Sequence, residues 1–361
     1  MISITRGLCA ALAATLLAAS AASYSLAQAP QAPSAANPWS ELAPFPDASE
    51  EVLGAVANGK LYVFCGLAPV WKPKALVYEY DPAANKWTQK KPMPLPSHHV
   101  AFASLNNKIY AFGGFKFPES GSPAWDPINS SWEYDAETDS WKALAPMPVK
   151  LGAASAAVAG GKIYVTGGAN SLPGVTENGI HPRRPHNVVA LVNEYDPATN
   201  SWRERRPLLV ARNHHATASV GDKIYVVGGR IGSAFISYGS NNIDLVEMYD
   251  PATDIWAPRA RMPTSRSAIG GGVYNGKIVV PGGEGQDQRF LAAFKAVEAY
   301  DPALDRWQLL PSMPHQRHGL ALGVIGDRLY TVSGDAQSAG NGILHSDVAF
   351  NEALQLDLVL K

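Results

Sequence analysis

The sequence predicts an all-β protein, a six-bladed β-propeller of four-stranded antiparallel blades. Two periodic features predict it. A tight polar turn, followed by Lys or Arg, an aliphatic residue and usually Tyr, occurs six times along the 361 residues. A Trp also recurs at intervals of roughly 50 residues, which is a repeat length typical of propeller blades. Units that recur in this way bury their faces by stacking radially around an axis.

The polar turn and the motif after it predict the first two strands of each blade. Turn pairs such as Asn58-Gly59 and Asn275-Gly276 suit type I′ hairpins, whose central residues need positive φ. The strand before the turn is rich in small residues, as in 152–156 and 268–272, and converging blades need small side chains at the axis. The aligned motifs are Lys60-Leu61-Tyr62, Lys108-Ile109-Tyr110, Lys162-Ile163-Tyr164, Lys223-Ile224-Tyr225, Lys277-Ile278-Val279 and Arg328-Leu329-Tyr330.

The rest of each repeat predicts two further strands. The second strand ends in a glycine pair, as at Gly167-Gly168, and glycine there permits a sharp exit and close approach of a neighbouring backbone. A tight turn such as Tyr195-Asp196-Pro197 separates the third strand from the fourth. The fourth strand opens with a Trp, at Trp39, Trp87, Trp141, Trp202, Trp256 and Trp307.

The two ends of the repeat region predict how the ring closes. The last repeat lacks a Trp strand, whereas Trp39 has no strands of its own repeat before it. We therefore expect Trp39 to pair with the strand near residues 353–358 and complete blade six. The propeller should occupy residues 37–361 as a single domain.

The residues before the propeller predict export. Arg6, an apolar run over residues 8–22 and small residues up to Ala27 have the order of a secretory signal peptide, so we expect residues 1–27 to be removed. Residues 28–36, rich in Pro, Ala and Gln, indicate a short flexible leader. The mature protein would be secreted or periplasmic.

Composition excludes several classes of partner and cofactor. The formal net charge is −1 and no run of like charges occurs, so nucleic acid and anionic membrane surfaces are poor principal partners. No later stretch reaches the roughly 18 apolar residues of a transmembrane helix. Zinc-ligand spacing, a phosphate loop and a Ser-His-Asp arrangement are not found, so we expect no metal and no cofactor.

The direction of the strands identifies the face that carries function. If the first strand of each blade starts at one end of the ring, face X, then both tight turns of the blade lie on the opposite end, face Y. The loop after the second strand and the connection to the next blade return to face X. The connections on face X are long and irregular, as in 115–131 and 169–187. Irregular loops on a rigid scaffold usually carry binding residues.

Each first strand starts on face X, at the mouth of the axial channel, and three successive positions there are called the rim positions. The first rim position lies eleven residues before the aligned Lys or Arg and holds Ser49, Ser97, Leu151, Arg212, Arg266 and Arg317. The second holds Glu50, His98, Gly152, Asn213, Ser267 and His318. The third includes Glu51, His99 and His214.

Charged residues at the rim predict a ligand site. Three guanidinium groups on consecutive blades four to six would form an anion-binding crescent, because Arg recognises carboxylate or phosphate at two points. The acidic residues of blade one stand next to blade six, so a ligand with both an acidic group and hydroxyls suits the ring. The candidate ligand-binding residues are Arg212, Arg266, Arg317, His98, His214, His318 and Glu50.

Structural roles are the alternative for the same residues. Each Arg is also compatible with an ion pair between blades, because clustered charge is often structural. Carboxylates available for such pairs are Glu194, Glu247 and Glu298. The histidines are compatible with rim residues whose hydrogen bonds are satisfied within the protein.

Four further features lie outside the rim positions. Trp71 and Trp125 fall in face-X loops outside the repeated pattern, so they are candidates for apolar ligand contacts. The basic stretch 180–186 lies on the same face and is a candidate lid. Cys65 replaces the first glycine of blade one and is expected to be a small buried residue without a disulfide partner.

These motifs, which cover nearly all of the mature chain, resemble the kelch-repeat family within the superfamily of galactose oxidase-like propellers. The resemblance implies a protein-interaction module or, in some exported members, an enzyme acting on sugars. Galactose oxidase chemistry implies a Tyr cross-linked to Cys, a second Tyr and two His ligands, and only Cys65 is available here. A weaker resemblance to exported N-acetylneuraminate epimerases rests on compartment, blade count and the Arg/Glu mouth, without comparable loop insertions.

Two function hypotheses follow. We expect an exported propeller that binds a ligand, such as an acidic carbohydrate, or a protein partner on face X. The alternative is a cofactor-independent carbohydrate mutarotase or epimerase acting on an acidic sugar, with the Arg and His residues binding it and transferring protons. The sequence leaves open whether the protein is an enzyme.

Overall fold

Six four-stranded antiparallel sheets form the ring that the repeats predict. The computed structural model describes residues 37–119, 124–173, 186–233, 241–286, 291–338 and 346–360. The first strands of successive blades contact one another in a closed cycle, which places them around the axis. The predicted signal peptide (1–27) and leader (28–36) lie outside the described residues.

The strands of the six blades follow the repeat along the chain. Blade one consists of Val52–Ala57, Lys60–Ala68, Lys72–Asp81 and Lys86–Gln89. Blade two consists of Ala101–Leu105, Lys108–Phe112, Ser131–Asp135 and Ser140–Ala143. Blade three consists of Ser155–Ala159, Lys162–Thr166, Val192–Asp196 and Ser201–Arg205. Blade four consists of Ala216–Val220, Lys223–Val227, Val246–Asp250 and Ile255–Arg259. Blade five consists of Gly272–Tyr274, Lys277–Pro281, Val297–Asp301 and Arg306–Leu309. Blade six consists of Ala321–Ile325, Arg328–Val332, Asn351–Gln355 and Trp39–Glu41.

Short ladders on face X extend three of the blades. They pair Phe115–Lys116 with Asp126–Pro127, Ala169–Asn170 with Asn187–Val188, and Glu284–Gln286 with Leu291–Ala293. The one helix among the described residues is the 3₁₀ turn Pro69–Trp71. No helix in this part of the chain is long and apolar enough to cross a membrane.

The ring closes as the sequence predicts, with an N-terminal strand joined to the C-terminal blade. Trp39 pairs with Leu354 and Glu41 pairs with Glu352 in an antiparallel register. The Trp39 indole N–H also donates to the Pro311 carbonyl of blade five at 3.1 Å. The N-terminal strand therefore pairs with Asn351–Gln355 and becomes the fourth strand of blade six.

Hydrogen bonds from the repeated Trp join each blade to the one before it. The Trp202 indole N–H donates to the Ala145 carbonyl at 2.9 Å, and the Ala145 N–H donates to Asn200 Oδ1 at 2.8 Å. Tyr195 holds that amide in place by donating its hydroxyl to Asn200 Oδ1 at 2.8 Å. The indole-to-carbonyl bond recurs at Trp87, Trp141, Trp256 and Trp307.

The glycine pairs make a second contact between blades, nearer the axis. Gly167 and Gly168 have φ of 60° and 110°, and the Gly168 N–H donates to the Arg212 carbonyl of the next blade at 2.9 Å. A Cβ on Gly167 would lie 2.5 Å from the same carbonyl oxygen, so only glycine fits. The loops after the glycine pairs and the rim positions therefore share one end of the ring, as strand direction predicts.

Apolar side chains fill the spaces between blades. Phe64 of blade one stacks on Phe102 of blade two at 4.6 Å between ring centroids and meets Trp141 edge-on at 6.0 Å. Cys65 is fully buried in this layer, with φ of 72° at the position of the missing glycine. Burial raises the pKa of the Cys65 thiol, so this residue is an unreactive filler.

Candidate functional site

The third rim position has a left-handed backbone in every blade, with φ between 52° and 55°. The residues are Glu51, His99, Ala153, His214, Ala268 and Gly319. Each turns the chain from face X into the inner strand. Neighbouring turns are bonded to one another, because the Ala153 N–H donates to the His99 carbonyl and the His214 N–H donates to the Ala153 carbonyl, both at 3.0 Å. Left-handed backbone at non-glycine residues is strained and concentrates at functional sites.

A cavity of about 160 Å³ lies on the axis directly below these turns. All six third-position residues line it. Its deeper wall consists of the inner strands, where residues such as Gly54, Ser155 and Gly270 leave room between the blades. The cavity therefore has a polar end at face X and a wall of small residues below.

Two imidazoles and a carboxylate from blades one, two and four meet at the polar end. His99 Nε2 lies 3.2 Å from Glu51 Oε2, and the rings of His99 and His214 are 4.6 Å apart between centroids. One nitrogen or oxygen atom from each of the three residues lies within 4.8 Å of the other two. All three residues are buried.

His98 supports this group from the second rim position. Its Nδ1 contacts Nδ1 of His99, so one of the two rings donates to the other. His98 Nε2 has no hydrogen-bond partner among the described residues. Burial, together with the nearby His99, lowers the pKa of His98 well below its usual value, so this ring is neutral.

A hydrogen-bonded chain continues from His214 towards blade five. Arg230 Nη2 donates to His214 Nε2 at 2.8 Å, and Arg230 Nη1 pairs with Glu284 Oε1 at 2.7 Å. Because a guanidinium has no acceptor, His214 must carry its proton on Nδ1, which contacts Asn213 Oδ1 at 2.6 Å. Burial and the charge of Arg230 lower the pKa of His214, which keeps the ring neutral.

His318 of blade six is the buried cation of the group. Its Nε2 lies 3.6 Å from Glu284 Oε2 and 3.9 Å from Glu50 Oε2, and neither ring nitrogen has a hydrogen-bond partner in the described part of the chain. Burial alone would lower the pKa of His318. The carboxylates of Glu284, Glu51, Glu50 and Asp335 outweigh burial and raise this pKa to about 9.

Glu51 is held as a carboxylate by the same surroundings. Burial would raise its pKa, but His99, His318 and Arg230 together lower the pKa to about 2. The polar end of the cavity therefore combines the fixed anion of Glu51 with the neutral ring of His214, and the buried rings of His98 and His318 lie next in sequence to the lining residues His99 and Gly319. We call the rim residues of this cluster, together with Arg230, Glu284 and Asp335, the axial site.

The three rim arginines lie elsewhere, in buried ion pairs. Arg266 Nη1 pairs with Glu298 Oε2 at 2.8 Å and its Nη2 donates to the Val280 carbonyl at 2.8 Å. Arg212 pairs in the same way with Glu247, and Arg317 with Glu352. None of the three side chains is exposed.

These guanidinium groups therefore do not line the channel mouth, contrary to the crescent that the sequence predicts. Each pair connects the start of a blade to the third strand of that same blade, so it braces one sheet and does not bridge two blades. The third rim position, by contrast, lines the axial cavity in every blade.

The sequence-predicted Glu50, His98, His214 and His318 do lie together at the axial site, all of them buried. Sequence reasoning missed Arg230, Glu284 and Asp335, the residues directly after Gly229, Gly283 and Gly334 in blades four to six. The fold brings them in because each bridges to a second rim position. Aligning the residue after each glycine pair would have found them. The bridged pairs are Asn213 with Arg230, Ser267 with Glu284, and His318 with Asp335.

The aromatic residues of the face-X loops border the axial site. Trp125 is buried, stacks on Phe115 at 5.6 Å between centroids and lies 4.9 Å from the ring of His98. Trp71 packs against the same apolar group from blade one. Of the basic stretch 180–186, only His186 is described, and its Nε2 lies 3.4 Å from Asn213 Nδ2.

A closed ring of six four-stranded sheets with a polar cluster at one end of its axis defines the chain as a six-bladed β-propeller. Its repeats identify the type. The profile of the kelch motif matches residues 53–94, 96–148 and 211–263, so three segments of the chain carry kelch motifs. A solved structure entitled "Structure of YjhT" has a TM-score of 0.68 at 19% identity and covers 86% of this chain and 96% of that chain.

Curated proteins with similar sequences carry kelch repeats in longer chains. Human Kelch repeat and BTB domain-containing protein 12 is 28% identical over 185 residues, which is 49% of this chain and 29% of that protein. Kelch-like protein 15 of Danio rerio is 30% identical over 194 residues, or 53% of this chain and 32% of that protein. The matched part of this chain thus spans about a third of these relatives.

The buried pairs predict that the rim arginines stabilise the fold. Arg266→Met should lower the free energy of unfolding by about 3–5 kcal/mol, because it leaves Glu298 buried without its counter-charge. Urea unfolding followed by tryptophan fluorescence measures the loss. Replacing both partners, Arg266→Met with Glu298→Leu, should recover most of it. The exposed Arg306→Met is the control; equal stability of Arg266→Met and this control would contradict the prediction.

The surroundings of His318 predict a specific dependence of stability on pH. A pKa raised from 6.5 to about 9 on folding means that the charged ring stabilises the fold fully below pH 6.5 and loses this contribution as pH rises through 9. Between pH 6.5 and pH 9 the free energy of unfolding of the wild type should fall by on the order of 3 kcal/mol relative to that of His318→Gln. Urea midpoints at several pH values measure it, with the partly exposed His315→Gln as control. Parallel profiles for wild type and His318→Gln would refute the assignment.

Proposed function

We propose that the protein is a binding protein whose axial site takes a small, uncharged, polyhydroxylated ligand about the size of one sugar ring. One observation carries the proposal. His98 Nε2 and both ring nitrogens of His318 are buried, next in sequence to the cavity-lining His99 and Gly319, and have no hydrogen-bond partner among the described residues. A buried polar group left in this way costs about 1–3 kcal/mol. Hydroxyl groups suit these positions because each both donates and accepts.

The size of the cavity limits the ligand. Its volume is about 160 Å³, and a protein cavity of roughly 150 Å³ accommodates benzene. The bare ring of one sugar therefore fits, its exocyclic groups must reach towards the mouth on face X, and a disaccharide would extend further into the loops of that face. The small residues of the inner strands, such as Gly54 and Gly270, supply this space.

The charge of the axial site favours a neutral ligand over an acidic one. Glu51 lines the cavity and is held as a carboxylate. A carboxylate on a ligand in the cavity would lie beside this like charge. An acidic sugar would need free rim arginines, but the guanidinium groups of Arg212, Arg266 and Arg317 are already paired with glutamates.

The same electrostatics favour binding over the mutarotase or epimerase alternative. General acid–base catalysis works best when the catalytic pKa lies near the working pH. The pKa of about 2 makes Glu51 a weak base, and the pKa of about 9 makes His318 a weak acid. Both groups are better suited to holding a fixed charge against a ligand than to exchanging protons with it.

Kelch propellers bind protein partners, and a protein seated on the loops of face X is the competing mode of binding. We also propose that the protein is exported and that its mature form is secreted or periplasmic. The order of charged, apolar and small residues over 1–27 supports this. Intact-mass measurement of the exported chain tests it, because cleavage after Ala27 leaves Gln28 as the first residue, whereas an uncleaved cytosolic chain would refute it.

Calorimetric titration with matched neutral and acidic sugars tests the proposed ligand class. In buffer containing EDTA, glucose, galactose or mannose should bind more tightly than the corresponding uronic acid. His318→Gln and His98→Ala should each weaken binding about tenfold or more, because each removes a hydrogen bond to the ligand. His315→Gln, which alters an imidazole outside the axial site, should leave affinity unchanged.

Three results would count against the proposal. Tighter binding of the uronic acids would overturn the charge argument. Anomer exchange catalysed by the protein, followed by NMR, would favour the enzyme alternative. Failure of every sugar to bind, together with capture of a protein by wild type and His318→Gln alike, would move the function to the loops of face X.

A further inference from the structure

We infer that Glu51, His99 and His214 form a binding site for one divalent transition-metal ion at the polar end of the axial cavity. Two imidazoles and a carboxylate with open positions opposite them are a donor set suited to Fe²⁺, Mn²⁺, Co²⁺ and Zn²⁺. This inference goes beyond the proposed ligand and does not depend on it.

The distances fit one ion. Bonds of about 2.0–2.2 Å to nitrogen and oxygen place neighbouring ligand atoms roughly 3.0–3.5 Å apart. His99 Nε2 and Glu51 Oε2 are already 3.2 Å apart, and one donor atom of each residue lies within 4.8 Å of the others. Small side-chain movements therefore complete the site, and the adjoining cavity leaves space for a further ligand.

The neighbours of the two histidines orient them as a metal site requires. Metal-bound histidines normally donate their second ring N–H to a fixed acceptor. His214 Nδ1 contacts Asn213 Oδ1 at 2.6 Å, which leaves Nε2 as its lone-pair nitrogen. His99 Nδ1 contacts His98 Nδ1. When His99 carries its proton on Nδ1 and donates it to His98, the lone pair of His99 Nε2 faces Glu51.

The charge of Glu51 also favours a cation. Buried charges in proteins are paired or coordinate metals, because burial without compensation is costly. A divalent ion bound to Glu51 would place a positive charge directly against this buried carboxylate.

Arg230 is the group that competes with the ion. Its Nη2 donates to His214 Nε2, the atom that the metal needs, while its Nη1 pairs with Glu284. Metal binding must displace the first contact and can keep the second. The site should therefore bind the metal more tightly when Arg230 is replaced by a neutral residue, which is the opposite of the effect expected from a residue that merely supports the fold.

Titration of EDTA-treated, untagged protein with Co²⁺ tests the inference by calorimetry and visible absorption. We expect one equivalent to bind, with affinity reduced at least tenfold in Glu51→Gln, His99→Gln and His214→Gln. Arg230→Gln should raise affinity about tenfold, because it removes a cation and frees His214 Nε2. His315→Gln is the matched control for loss of an imidazole and should bind as the wild type does.

Electron paramagnetic resonance of the wild-type protein with Cu²⁺ identifies the metal ligands independently, and it does not depend on whether any variant folds. Coupling to two imidazole nitrogens supports the site. Two results would overturn the inference. One is metal binding that His99→Gln and His214→Gln leave unchanged, and the other is the absence of stoichiometric metal binding in both the wild type and Arg230→Gln. Because the sugar titrations contain EDTA, loss of sugar binding and loss of metal binding are separate results.

Discussion

Six sheets that converge on one axis leave little room at its centre, and this constraint governs the structure. The inner strands must be built from small residues, and the chain must turn sharply to enter each of them. At the third rim position every blade makes this turn with a left-handed backbone, including non-glycine residues such as Glu51, His99 and His214. Backbone bonds between neighbouring turns, and the closure of the ring by the strand at Trp39, hold the strained turns in place.

The same constraint gathers polar side chains at one end of the channel. Large side chains that cannot enter the narrow part of the axis collect where the inner strands begin, on face X. At the third rim position, blades three and five contribute only the small residues Ala153 and Ala268, and these leave the space of the cavity. The six blades share one backbone geometry but differ in their rim residues. The cavity is therefore lined by polar side chains from some blades and by small side chains from others.

Charge is distributed unequally among the rim positions for a similar reason. The first position points back into its own sheet, where Arg212, Arg266 and Arg317 are neutralised one-to-one by glutamates. The third position lines the axial cavity, where Glu51, His99 and His214 meet. Burial then acts on each group according to its neighbours: it keeps His214 neutral beside Arg230, while the surrounding carboxylates keep His318 charged.

The sequence by itself determined the fold, because turn pairs, glycine pairs and the recurrent Trp are local signals repeated six times. Strand alternation along the chain also determined which end of the ring carries the irregular loops. Only the tertiary structure decided which rim residues meet. Arg266 lies next to Ser267 in the chain, yet the first points into its sheet and the second bridges to Glu284 at the axis. The direction of a side chain at a left-handed turn depends on how the six blades close into a ring. The pairing of residues from different blades depends on the same closure, and no local sequence pattern encodes it.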